Sequence, residues 1–191
     1  QFVELKEIPS SIDRSMGDIH PGGNPHYTFD PKAAVNIAKA LFERLAQLDN
    51  QNKKVYQNCT LALSNELESF AKFEEARFLQ IHDQKRLVAS YHKSLIYLFD
   101  WLHLKEVATI EPKPGISPDP AHTAKVLQLI KRNEVQLIIQ EEYYPRITSK
   151  TLADLSKGKL IVLHGGARCD TGERYIDHLK KITDELYRSL Q

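Results

Sequence analysis

The sequence predicts an α/β protein: four β-α units forming a parallel-sheet lobe, preceded by a long linking helix and an irregular N-terminal segment. Three observations predict it. Short apolar runs at 86–90, 107–110, 135–139 and 159–163 alternate with segments of helical periodicity, and such alternation builds a parallel sheet covered by helices on both faces. Residues 51–80 contain neither Gly nor Pro, and thirty helical residues would span roughly 45 Å. Residues 1–31 hold Pro9, Pro21, Pro25, Pro31 and the pair Gly22-Gly23 with little periodicity, which reads as a short strand at 2–5 followed by ordered loop.

From Pro31 the pattern turns helical. Val35, Ala38, Phe42, Leu45 and Leu48 recur at helical spacing, with Asp30 as N-cap and Pro31 in the first turn. After a break at Asp49-Asn50, the stretch 51–80 places Cys59, Leu63, Leu67 and Phe70 on one face. Its length suits a strut between two bodies better than a piece of one core. Helices are expected at 94–102, 121–133 and 148–155. Tyr175, Leu179, Ile182, Leu186 and Leu190 give the last helix an unbroken apolar stripe. The expected organisation is an N-terminal segment at 1–50, a linking helix at 51–84 and a (β/α)4 lobe at 85–191.

Composition excludes some partners. Lys and Arg number 26 against 25 Asp and Glu, a net charge of +1, so no strong field of either sign points to nucleic acid or an anionic membrane. No apolar run approaches the roughly 18–20 residues that cross a bilayer, so direct membrane insertion is not expected. No signal segment opens the chain at Gln1, so an exported protein would already have lost it. Cys59 and Cys169 form either one long-range disulfide or two reduced, buried thiols.

Ligands of open parallel sheets gather at the carboxyl ends of the strands. The residues there are Tyr91-His92, Glu111, Glu141-Glu142 and His164-Gly165-Gly166. Imidazole nitrogen with carboxylate oxygen suits zinc, manganese or iron and not copper(I), which prefers sulfur. His82, His103, His122 and His178 fall on helices or helix ends and read as surface or capping residues. His20 and His26 stand apart because Pro and Gly surround them, whereas His92 and His164 share one rim.

The run Gly23-Asn24-Pro25-His26-Tyr27-Thr28-Phe29-Asp30-Pro31 resembles the G-(N/D)-P-H-x-W-L-D-P stretch of the zinc and manganese cluster of ABC-transporter solute-binding proteins. Tyr91-His92-Lys93-Ser94 with Tyr97-Leu98, and Ile138-Ile139-Gln140-Glu141, resemble later motifs of that family in the same order. The resemblance covers nearly the whole chain. It implies a non-enzymatic, extracytoplasmic protein, periplasmic or a lipoprotein in a Gram-positive host, that carries zinc as cargo, with manganese or iron as the other options, to the membrane permease of an ABC importer. It implies His26 and His92 as metal ligands from opposite sides of a cleft, and an affinity that falls as imidazole is protonated. Nothing here matches the upstream lobe that supplies the family's first histidine, so the resemblance implies that residues 1–50 are a remnant of a second, N-terminal lobe. The family's fourth ligand is an Asp after the last strand; here His164, Asp170 or Glu141 is left for that place, and His164 is the residue chosen.

Other functions remain in view. A zinc-dependent hydrolase would use Glu141 or Glu142 as general base, but H-E-x-x-H and G-x-S-x-G are absent. A nucleotide-binding domain would use Gly165-Gly166-Ala167-Arg168, but neither Walker A nor G-x-G-x-x-G occurs. A surface adhesin of the same family is the remaining alternative.

Overall fold

A computed structural model describes residues 2–11, 13, 16–18 and 20–191. Helices α1 (Pro31–Leu48) and α2 (Lys53–Leu79) come first. There follow β1 (Leu87–Ser90), α3 (Ile96–Trp101), β2 (Lys105–Thr109), α4 (Pro120–Arg132), β3 (Leu137–Glu141), α5 (Arg146–Ser156), β4 (Lys159–Leu163) and α6 (Tyr175–Leu190). The four strands form one sheet in the order β2-β1-β3-β4, and every pairing is parallel. This is the α/β architecture that the alternating pattern predicts.

Side-chain alternation along the strands builds two cores. Leu137 and Ile139 of β3 join Val88, Ile161 and Leu163 on the face covered by α2, α3 and α6, whereas Ile138 joins Ala89, Ala108 and Ile110 on the face covered by α4 and α5. A strand buried on both faces has no room for polar alternation, and β3 is buried along its whole length. The stripe of α6 seats as its spacing predicts: Ile176, Leu179, Ile182, Leu186 and Leu190 are all buried. Each such side chain contributes about 1.5–3 kcal/mol when removed from water.

The N-terminal third departs from expectation in three places. Residues 2–5 form no strand; the backbone makes one antiparallel bridge, between Lys6 and Asn24, so the segment pairs with a loop rather than with the sheet. Helix α1 begins as predicted, with Asp30 accepting from the Lys32 amide at 2.8 Å and Pro31 in the first turn. Its buried residues, however, are Pro31, Ala33 and Val35, while Leu45 and Leu48 are exposed. On α2 the buried face starts only at Ser64 and continues through Leu67, Phe70, Ala71, Glu74 and Phe78, leaving Leu63 exposed. The reason is geometric. The helix is about 40 Å long, and its first half extends past the sheet with α1 as its neighbour. Cys59 and Cys169 are both free and exposed, so they are neither bridged nor buried.

His178 corrects the reading of the helix histidines as surface or capping residues, because it lies on α6 in the core at 4% exposed. Burial pushes its pKa below the ordinary histidine value; Glu173 opposes that shift, and His164 and Lys181 add to it. Its Nε2 has no hydrogen-bond partner among the described residues. The unfolded chain takes up this proton near pH 6.5 and the folded chain only at lower pH, so acidification favours unfolding. The contribution to stability is complete above about pH 6.5 and is lost as the pH falls below it. Denaturant unfolding of the natural protein and of His178→Leu at pH 7 and pH 5 checks this: the natural protein should lose stability relative to the variant at pH 5. A difference independent of pH would contradict it.

Candidate metal site

All four strands run in one direction, so their carboxyl ends share a rim. His92 follows β1 and Glu111 follows β2; Glu141 closes β3 and His164 follows β4. The β1–β2 pairing lets the carboxylate of Glu111 meet Nδ1 of His92, a contact in which both side chains are buried. Glu111 is itself fixed, since its Oε1 accepts from the Gly115 amide at 2.9 Å. A carboxylate at Nδ1 holds the ring proton there and leaves the Nε2 lone pair for a cation.

His26 reaches the same place from a different part of the chain. Gly23 has φ +105°, and a Cβ there would lie 3.0 Å from Leu5, Ile8 and the Lys6 carbonyl oxygen, so only glycine lets the loop lie this close to residues 5–8. Next to it, Asn24 ties the loop to the sheet. Its Nδ2 donates to the Lys93 carbonyl at 2.7 Å and to Glu7 Oε2 at 3.1 Å, which fixes the amide orientation. Its Oδ1 therefore accepts from the His26 backbone amide at 3.0 Å and lies 2.8 Å from His26 Nδ1. Nδ1 of His26 carries the proton, and Nε2 is again the open nitrogen.

The two imidazoles meet with centroids 5.4 Å apart at 75°. The His20 ring also lies beside that of His26, at 5.8 Å and 66°. All three rings line an open cavity of about 430 Å³, together with Met16 and Lys93. Burial first, then the neighbouring charges of His92 and His20, holds His26 down at about pKa 4. Tyr144 closes the side against β3, its ring 5.6 Å from His92 and stacked at 4.7 Å on Tyr91. As placed, no three His, Cys, Asp or Glu side chains among the described residues converge on one point as a finished coordination sphere.

The remaining rim residues are arranged differently. His164 is exposed and its Nδ1 pairs with Glu142 Oε2 at 2.8 Å, a hydrogen bond that holds Glu142 below the usual carboxylate range. With β3 between β1 and β4, the ends of those two strands are roughly 9–10 Å apart. Glu141 is fully buried, and burial raises its pKa above the usual carboxylate value. Asp170 is exposed in the turn after β4. Gly165 makes room for the Tyr143 ring, which a Cβ would meet at 2.6 Å.

The sequence puts Glu111 on the rim without a role, and it gives none to Asn24. Asn24 stands inside the Gly23–His26 motif, but its second contact, to Lys93, spans 69 residues and no local pattern signals it. Asn24→Ala should lower stability in urea unfolding by about 1–3 kcal/mol, since it leaves a buried carbonyl and a histidine N–H unpaired. A loss below about 0.5 kcal/mol, the size of an ordinary surface substitution, would contradict that role.

Comparison with known proteins identifies relatives and a family. The chain is 27% identical over 176 residues to the high-affinity zinc uptake system protein ZnuA of Bacillus subtilis, covering 87% of this chain and 53% of that protein. It is 26% identical over 167 residues to the zinc-binding lipoprotein AdcA of Streptococcus pneumoniae, covering 85% of this chain and 33% of the relative. It thus spans about half, or less, of the length of these relatives. A crystal structure of ZnuA superposes with a TM-score of 0.78 at 19% identity, over 92% of this chain and 62% of that one, and shares the fold. The sequence profile described as zinc-uptake complex component A, periplasmic, matches residues 3–189, and the chain belongs to that family.

Proposed function

We propose that this chain captures a transition metal, with zinc as the cargo, between His26 and His92. It does so as part of an extracytoplasmic solute-binding protein that hands the ion to the permease of an ABC importer. The observation that carries the reading is the imidazole pair itself. Two histidines from distant segments approach to 5.4 Å, each with Nδ1 held by a neighbour that leaves Nε2 open. Two imidazoles bound to one tetrahedral zinc at about 2.0–2.1 Å have their ring centroids roughly 5 Å apart. The described residues include no helix long and apolar enough to cross a membrane.

Zinc is favoured over manganese and iron by the nitrogen-rich pair and by the zinc named in both curated relatives. In the same reading, residues 51–84 act as the linking helix between the segment at 1–50 and the lobe at 85–191. His164 is a third residue of the proposal, placed farther along the rim and reaching the ion only by turning away from Glu142. Capture joins two segments, because one ligand sits on the Asn24-anchored loop and the other on the sheet. Release then requires only that the loop shift relative to the strand end.

Zinc titration in competition with a chromophoric chelator tests the assignment. His26→Ala and His92→Ala should each weaken binding at least about tenfold, the range for lost metal-site interactions, and His164→Ala should weaken it less. His82→Ala should bind as the natural protein does, because that side chain caps the turn before β1 by accepting from Gln84. Retention of full affinity in both His26→Ala and His92→Ala would contradict the proposal, and tighter binding of manganese than of zinc would overturn the choice of cargo.

A further inference from the structure

We infer that His20 is a third imidazole ligand of the site, so that this chain alone presents three nitrogens to the ion. The inference rests on the metal reading above. His20 lines the same cavity as His26 and His92. Its ring lies 5.8 Å from that of His26, and the His92 ring lies 5.4 Å from the same imidazole. Both separations are close to the roughly 5 Å expected for imidazoles on one tetrahedral ion.

The partners of the other histidines single this one out. His82 accepts from the Gln84 amide, His103 and His164 pair with Glu75 and Glu142, and His122 lies 3.2 Å from the Thr109 carbonyl oxygen. His178 is buried in the core. His20 is exposed, and among the described residues its ring nitrogens make no hydrogen bond; its one ring neighbour is another imidazole. Packing does not account for an exposed ring placed edge-on to a histidine.

The backbone supplies the reason for the approach. The His20 carbonyl accepts from the Gly23 amide at 3.1 Å, closing a turn through Pro21 and Gly22. His20 and His26 thereby stand on the two arms of one loop, which Asn24 locks against Lys93. The three rings have yet to converge on a common point, and the exposed His20 ring is the one free to turn, on the nanosecond timescale of surface side chains. Three imidazoles leave one tetrahedral position, open to His164 if it turns away from Glu142 and otherwise to water or a carboxylate.

Zinc alone, titrated into the 191-residue chain and its variants against a competing chelator, reads the contribution of His20. His20→Ala and His20→Gln should each lose at least about tenfold in affinity, with an unchanged circular dichroism spectrum. X-ray absorption of the zinc-loaded protein should count one imidazole fewer in either variant than in the natural protein. If both His20 variants bind as the natural protein does while His26→Ala does not, His20 is no ligand and the metal reading stands. An imidazole count that His20→Ala leaves unchanged overturns the inference in the same way. If neither His20 nor His26 variants lose affinity, both fail.

Discussion

The site depends on one side chain, Asn24. Its amide joins a loop that has no regular structure to a strand end 69 residues away, and its other end fixes the ring of His26. The loop needs the anchor because the described residues before α1 lie in no strand of the sheet; their backbone is tied by the Lys6–Asn24 bridge and by the Asp18 amide, which donates to the Pro114 carbonyl at 2.8 Å. The hydroxyl of Tyr97 reinforces the anchor: it donates to the Asn24 carbonyl at 2.6 Å and accepts from the Lys6 amide at 2.9 Å. Buried polar groups that satisfy one another in this way hold a geometry more sharply than apolar contact does, since leaving any of them unpaired is costly. The motif that reads as a ligand in the sequence is thus also the fastening that puts the ligand in place.

The parallel sheet supplies the other half of the site. Because β1 and β2 are neighbours, His92 and Glu111 come together without any local sequence relation between them. Because β4 lies beyond β3, His164 comes off the rim at a different point and finds Glu142 instead. Strand order is the property that a single sequence does not display. The strand ends were legible from apolar runs and spacing, and so were the histidines on them; which two ends would be adjacent was not.

Elsewhere legibility followed the strength of the local signal. Strand β4 and helix α6 lie where their apolar pattern puts them, and β3 starts two residues later than its apolar run, since an apolar stripe in a closed core has one place to go. The stripes of α1 and of the first half of α2 have the same spacing, yet leave Leu41, Leu45, Leu48, Val55 and Leu63 exposed. Periodicity reports that a face is apolar, not that something covers it. His178 failed in the opposite sense: its position on a helix suggested a surface residue, and only the packing of α6 reveals it as buried. Of the site, His26 and His92 were read from motif and rim, whereas the fixing of their rings by Asn24 and Glu111 emerged only from contacts distant in sequence.

The central claim is that one metal ion is shared by His26 and His92. Anomalous diffraction at the zinc edge from zinc-loaded crystals of the chain tests it most directly. The account predicts a single strong peak about 2.0–2.1 Å from Nε2 of both rings, with Nδ1 of each still held by Asn24 and Glu111. A peak seated on His164 and Glu142, or on neither His26 nor His92, would contradict it.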